Sequence, residues 1–224
     1  LVEGEEHNDP YKGDLMLPLE LAKKHGLEDH VTHVLRSVVE RFKPTVLIGT
    51  SGRPGAFNQE IVEEMATHCE RPIIMPFSNP TDHSEARPEE VIRWTEGRAL
   101  VATGSPFDAV EYEGRTYRVG QGNNVFIFPG LGLGALLAGA STVSDSMISA
   151  AADAVAESVT AEEFASGMLY PAVPRLRDVC HHVSARVMAA ASREGTGDRM
   201  SKEEIDSRIA DAVWQPEYRT YLPA

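Results

Sequence analysis

Two short turns carry the side chains best suited to holding a ligand. Val119-Gly-Gln-Gly-Asn-Asn-Val-Phe-Ile-Phe-Pro-Gly130 sets Asn123 and Asn124 in a glycine-flanked turn just before an apolar run. Upstream, Ser78-Asn79-Pro80-Thr81 closes the apolar run Ile73-Ile74-Met75-Pro76-Phe77. A polar side chain on a tight turn at the edge of a buried element is held by the scaffold behind it, the usual way of presenting a binding group. A carboxamide binds through its nitrogen donors and oxygen acceptor and moves no proton at neutral pH. Each turn also has a purely conformational reading, because Asn-Pro favours turns and Asn bonds its own backbone. Two such turns at the ends of apolar segments point to one binding site.

The groups that make and break bonds are harder to find. His181 and His182 are neighbours on an expected helix, so they face different directions and make poor joint metal ligands. His7, His25, His30, His33, His68 and His83 have no carboxylate or cysteine at recognisable ligand spacing. No Ser-His-Asp arrangement, H-E-x-x-H or G-x-S-x-G motif is present, and none of the five lysines sits in a strong site context. Gly130, Gly132 and Ala135 satisfy a dinucleotide fingerprint, but that motif needs strand, helix and then a second strand ending in an acid. Here helix follows helix, so the glycines are expected to allow close packing against a neighbour. Gly49-Thr-Ser-Gly-Arg-Pro-Gly55 reads equally as a cofactor-approaching turn or as a plain connection.

The elements that must position these turns follow from periodicity. Leu19 to His25 is a short helix ended by Gly26. From Asp29, Val31, Val34, Leu35, Val38, Val39 and Phe42 keep helical spacing up to Pro44. Thr45 to Ile48 is a short buried strand, Asn58 caps a helix with Ile61, Met65 and Cys69 inward, and Pro72 to Phe77 is a second strand. Pro88 opens a helix that stops at Gly97, and Ala99 to Thr103 is a third strand. Strands recurring with a helix between each pair build a parallel sheet, which binds ligands beyond its carboxyl ends. Those ends are Gly49 to Gly52, Ser78 to Pro80 and Gly104 to Pro106. Val110 to Val119 alternates around Glu113-Gly114 as a surface hairpin. Beyond residue 140 the pattern is helical: Ser144 caps one helix, Thr160 and Glu163 form a capping box, Leu176 to Ala191 is amphipathic, and Ser201 to Glu204 opens a last helix to about Trp214.

With 224 residues, 42% of them apolar and 25% charged, the chain can bury a sizeable core. A net charge of −13 argues against general affinity for nucleic acid or anionic membranes. Cys69 and Cys180 lie far apart with no metal-ligand partners, as reduced thiols do. No apolar stretch is long enough to span a bilayer, and no signal peptide is visible at an acidic start that lacks an initiator Met.

Taken in order, Lys43-Pro-Thr-Val-Leu-Ile-Gly-Thr-Ser-Gly, Arg71-Pro-Ile-Ile-Met-Pro-Phe-Ser-Asn-Pro-Thr, Thr95-Glu-Gly-Arg-Ala-Leu-Val-Ala-Thr-Gly-Ser-Pro-Phe and Gly120-Gln-Gly-Asn-Asn-Val-Phe-Ile-Phe-Pro-Gly closely resemble the malic enzymes. Ser144-Asp-Ser-Met, Leu169-Tyr-Pro and Trp214-Gln-Pro-Glu-Tyr extend the resemblance over roughly residues 40–224. It implies an α/β fold with an incomplete Rossmann-like parallel sheet of three recognisable strands, flanking helices and an all-helical carboxyl-terminal segment. Residues 1–122 would be the remainder of the NAD(P)-binding domain, 123–199 a helical segment returning to the preceding domain, and 200–224 a helical tail.

The resemblance also implies a reaction. Malic enzymes oxidise L-malate with NAD or NADP and decarboxylate the bound oxaloacetate to pyruvate and carbon dioxide, using Mg or Mn. Asn79, with Asn123, Asn124 or both, would bind malate, and Thr50, Ser51, Gly52, Ser78 and Asn79 would border the nicotinamide end of the cofactor. The family's catalytic tyrosine and lysine, its malate-gripping arginine and its metal-binding acids lie upstream of the matching region, so neither catalytic residues nor metal ligands are assigned here. The chain reads as the carboxyl-terminal part of a cytoplasmic enzyme, inactive by itself, whose parent forms homodimers or homotetramers. Lys12 lies where the family faces the adenosine ribose, where a cation would pair with a 2′-phosphate. Malolactic enzyme, which releases lactate, and a non-catalytic assembly fragment are the alternatives.

Overall fold

The structure, a computed structural model, describes residues 1–6, 10–27 and 34–214. His7, His30, His33, Val31 and the 215–224 tail with its Gln215-Pro-Glu-Tyr motif lie outside the described residues. The chain divides into two compact units, Leu1–Gly122 with Ala165–Leu169, and Asn123–Phe164 with Tyr170–Ala224.

The first unit begins with helices α1 (Pro10–Gly13), α2 (Leu19–Lys24) and α3 (Leu35–Phe42). Val2, Ala22 and Leu27 form a small core there with Leu17, Val38 and Phe42 against it. Lys43, at a left-handed φ of 51°, ends α3 before Pro44. The sheet units follow: β1 (Val46–Gly49), α4 (Gln59–His68), β2 (Ile73–Pro76), α5 (Pro88–Trp94) and β3 (Leu100–Thr103). Asn58 caps α4 by accepting from the Ile61 N–H at 3.1 Å, which satisfies one of the orphan donors of the first turn. Val46, Leu47, Ile48 and Gly49 pair in parallel with Ile73, Ile74, Met75 and Pro76, and Ile73 and Ile74 pair with Leu100 and Val101. Ile61, Val62 and Met65 of α4 and Val91 and Ile92 of α5 bury against Leu47, Ile74 and Val101. Apolar burial of this extent is the main stabilising term for such a layer.

Two features depart from the sequence reading. Among the described residues β1 lies at the edge of the sheet and alternates, with Leu47 and Gly49 buried while Val46 and Ile48 are 41% and 58% exposed. It is therefore covered on one face only, not buried on both. Past the hairpin of β4 (Val110–Tyr112) and β5 (Arg115–Tyr117), a fourth parallel strand, β6 (Gly120–Gln121), pairs with Ala102 and Thr103. The sheet order is β1-β2-β3-β6. Two residues, one a glycine, give no alternation, so β6 was hidden inside the amide turn. The hairpin turn itself uses positive φ at Glu113 (49°) and Gly114 (75°), the twist that suits a two-residue connection. Segment Ala165–Leu169 lies on this hairpin, where the Ser166 carbonyl accepts from the Arg118 N–H at 2.8 Å.

The second unit is helical and starts earlier than residue 140, with a 3-10 turn at Asn124–Phe126 running into α6 (Phe128–Leu137). Then come α7 (Asp145–Glu157), α8 (Ala161–Ala165), α9 (Leu176–Glu194) and α10 (Lys202–Ala212). Phe126, Met147, Ala151, Val183, Val187, Met188 and Ile209 are among its buried core. Gly130 and Gly134 of α6 meet α9 so closely that an added Cβ would lie 2.6 Å from Val183 Cβ and 2.8 Å from Val187 Cβ. The glycine run is a packing surface, as its lack of a following strand implied. The capping boxes close as expected: Thr160 Oγ1 accepts from Glu163 N at 3.1 Å, and Ser201 Oγ accepts from Glu204 N at 3.2 Å. No helix among the described residues is long and apolar enough to cross a membrane.

Candidate functional site

The carboxyl ends of the parallel strands gather the polar residues of the first unit. β1 ends in the exposed turn Thr50–Gly52, and β2 ends in Phe77-Ser78 followed by a cis Asn79–Pro80 peptide. Parallel strands aim their last main-chain groups the same way, so turns distant in sequence become neighbours. The Gly52 N–H donates to Ser78 Oγ at 2.8 Å, which joins the two turns directly. Thr50, Ser51, Gly52, Ser78 and Asn79 are thus brought to one edge of the sheet.

A residue the sequence reading passed over holds this edge together. Glu85 is fully buried (0% exposed) on the segment leading to α5. Its Oε1 accepts from Ser51 N at 2.7 Å, Ser51 Oγ at 2.8 Å and Ser78 Oγ at 2.6 Å, and its Oε2 accepts from Ser78 N at 3.3 Å. Burial works to raise the carboxyl pKa, but the Ser78 hydroxyl, then the Ser51 N–H and hydroxyl, outweigh it and hold the group below the usual carboxylate range. A Cβ at Gly49 would lie 2.6 Å from Glu85 Cδ, so the absence of a side chain there makes room for the carboxylate. In sequence, Glu85 sits in the polar stretch Asp82-His-Ser-Glu-Ala-Arg-Pro88, where an acid looks like a solvated charge.

Asn79 is fixed from the next strand. Ser105, 7% exposed at the end of β3, donates its hydroxyl to Asn79 Oδ1. Ser105 is itself held by Thr103 Oγ1, which donates to its carbonyl at 2.8 Å. The neighbouring Gly104 carbonyl accepts from Gln121 Nε2 of β6 at 3.0 Å. The Asn79 side chain is otherwise exposed, and its Nδ2 carries two N–H donors. The strand-end position of Ser105 was legible; its bond to Asn79 was not, because the two are 26 residues apart in sequence.

Asn123 and Asn124 open the second unit, both exposed. Asn123 caps the 3-10 turn, its Oδ1 accepting from the Val125 N–H at 3.0 Å. Here the conformational reading holds, and it too occupies the amide oxygen while leaving Nδ2 as the donor. Asn79 and Asn123 therefore share a pattern: in each the amide oxygen accepts a hydrogen bond from the protein.

Carboxamides and hydroxyls of this kind can bind and orient a ligand, and a carboxamide moves no proton at neutral pH. The exposed turn at Thr50–Gly52, with φ of 65° at Gly52 and nothing within 4 Å of an added Cβ, leaves its backbone open to close approach by a flat ligand. Among the described residues no group of three or more His, Cys, Asp or Glu side chains is placed to hold a metal ion. Cys69 and Cys180 are free thiols, and burial pushes the Cys180 pKa up. His182 pairs with Glu157 at 3.0 Å while the adjacent His181 is exposed, the divergence expected of neighbours on a helix.

Known proteins share this architecture. The profile described as malic enzyme, NAD binding domain matches residues 16–192. An NAD-dependent malic enzyme of Sodalis glossinidius (strain morsitans) is 46% identical over 193 residues, covering 86% of this chain and 34% of that protein. One of Shewanella sp. (strain MR-4) is 49% identical over 187 residues, covering 84% and 33%. The crystal structure of malic enzyme from Pyrococcus horikoshii Ot3 superposes with a TM-score of 0.63 at 27% identity, covering 90% of this chain and 40% of that one. The chain spans about a third of the length of the curated relatives it matches. On a profile match through most of its length and relatives nearly half identical to it, the chain belongs to the malic enzyme family, in the NAD-binding part of the enzyme.

Proposed function

We propose that this chain supplies the nicotinamide-bordering turns and part of the malate grip of an NAD-dependent malic enzyme. The parent reaction is oxidative decarboxylation of L-malate to pyruvate and carbon dioxide. The observation that supports the reading is the exposed Asn79 at the strand ends, its amide oxygen engaged by the Ser105 hydroxyl and its N–H donors left for a ligand. Malate is a dicarboxylate with a hydroxyl, and neutral donors orient it without an added cation. By the family resemblance, Asn123 and Asn124 would add to the malate grip.

Thr50, Ser51, Gly52, Ser78 and Asn79 would border the nicotinamide. The residues present fit an uncharged carboxamide on a planar ring: open space at Gly52, the Thr50 hydroxyl and the Asn79 amide. When bound, NAD supplies the hydride acceptor; these side chains fix the ring and the substrate relative to it. Lys12, exposed on α1, is the one residue assigned toward a 2′-phosphate, so NADP is the finer alternative. The described acids and histidines do not fit a metal site, and Mg or Mn would be held by residues other than these. Residues 1–122 are assigned to the cofactor domain, 123–199 to a helical return and 200–224 to a tail. Assembly as a homodimer or homotetramer in the cytoplasm completes the proposal.

The test is turnover by the full-length protein with malate, NAD and Mg or Mn, followed by product analysis. Pyruvate with reduced NAD supports the reading. Lactate without net cofactor reduction would assign the malolactic reaction instead, and no malate-dependent product would overturn both. The 224 residues alone are expected to give no NAD reduction.

A further inference from the structure

Burying a carboxylate is costly, and the usual remedy is a cationic partner. At Glu85 the four bonded donors are neutral: two main-chain N–H groups and two hydroxyls. Their directions are consistent with an ionised acid. Both hydroxyls donate inward to the carboxylate, which frees their lone pairs to accept from the turn outside. Ser78 Oγ accepts from Gly52 N at 2.8 Å, and Ser51 Oγ accepts from Arg53 N at 3.2 Å. A relay of N–H to hydroxyl to carboxylate therefore runs from the exposed turn into the buried charge. The Glu85 main chain is anchored as well, its carbonyl accepting from Phe57 N at 3.1 Å. A glutamine could not reproduce the arrangement, because half of its head group is itself a donor.

We infer that Glu85 is a positioning residue for the cofactor, tying the Thr50–Gly52 and Ser78–Asn79 turns together and holding a negative charge behind them that favours the cationic, oxidised nicotinamide over the neutral, reduced ring. The inference rests on the reading that these turns border the nicotinamide. Its physical basis is that charge in a low-dielectric setting acts strongly over one or two hydrogen-bond lengths, and neutral donors spread that charge without cancelling it. The two roles separate experimentally. Loss of the tether weakens both cofactor forms alike, whereas loss of the charge shifts the ratio between them.

Dissociation constants of NAD+ and NADH are measured on the full-length protein by equilibrium dialysis and NADH fluorescence, for wild type, Glu85→Gln, Glu85→Asp and Ser78→Ala. Glu85→Gln is expected to lower the preference for NAD+ relative to NADH by about tenfold, on the scale of one charge interaction near a protein surface. Glu85→Asp keeps the charge and shortens the reach; it should weaken both forms severalfold with the ratio near wild type. Ser78→Ala should do the same, and it stands as the independent check if Glu85→Gln does not fold. A wild type that binds both forms with a Glu85→Gln ratio unchanged overturns the charge role. Unaltered binding of both forms by Ser78→Ala overturns the tether. A wild type that binds neither form overturns the cofactor reading and this inference with it.

Discussion

The Ser105 hydroxyl donates to Asn79 Oδ1 across the ends of neighbouring strands β3 and β2, and the contact fixes the amide oxygen. Without it the carboxamide can turn over and present its oxygen to an anion. Ser105→Ala is therefore expected to raise the KM for malate by about tenfold, the equivalent of one hydrogen bond of about 1.4 kcal/mol. The KM for NAD should change less. Asn79→Ala should be more severe, lowering kcat/KM for malate by about a hundredfold or more. Steady-state kinetics on the full-length protein check both; a malate KM unchanged in Ser105→Ala removes the hydroxyl from the site.

Alternate glycines of α6 should respond oppositely to alanine. A Cβ at Gly130 or Gly134 would press on Val183, Val187 and the carbonyls of Cys180 and Ser184 at 2.6–2.9 Å. Overpacking of that kind costs about 1–3 kcal/mol. Gly132 is exposed and an added Cβ meets nothing within 4 Å, so Gly132→Ala should stabilise by about 0.5–1 kcal/mol through helix propensity. Thermal melts of the three variants give the answer, and equal destabilisation by all three would contradict the packing.

Stability should depend on pH through Glu85. Its carboxyl is held below the usual range in the folded state, so the unfolded chain takes up the proton first as pH falls. The stabilisation is fully present above the ordinary glutamate pKa and is lost as pH drops through the lower folded value. Denaturant midpoints of wild type and Glu85→Gln should differ most near neutral pH and converge on acidification. A gap that widens in acid would reverse the sign and sink the assignment.

Lys12 tests cofactor choice. The relatives described above are NAD-dependent, and Lys12 is a solvated side chain on a single helical turn. Lys12→Gln is expected to leave the KM for NAD unchanged; a severalfold rise confined to the KM for NADP would give the lysine a role at a 2′-phosphate.

Local signals carried most of the framework. Pro44 marks the end of α3, Asn58 the start of α4, Glu113-Gly114 the hairpin and Ser201 the start of α10, because caps and turns are written in a few adjacent residues. β6 escaped because two residues carry no period, and the exposure of Val46 and Ile48 escaped because an edge strand is apolar in the same way as a central one. At the site, the amides of Asn79, Asn123 and Asn124 were legible as turn side chains at element ends.

The sequence by itself determined the family, the parallel strand-and-helix repeat and the turns that bear binding groups, since each is a pattern of neighbours along the chain. Only the tertiary structure decided how those turns are held. The partners of Glu85 and of Asn79 come from segments up to 34 residues away and meet because parallel strands end at one edge. A buried carboxylate reads in sequence like any surface acid. Its desolvation, and the four donors that offset it, exist only once the strands are packed side by side.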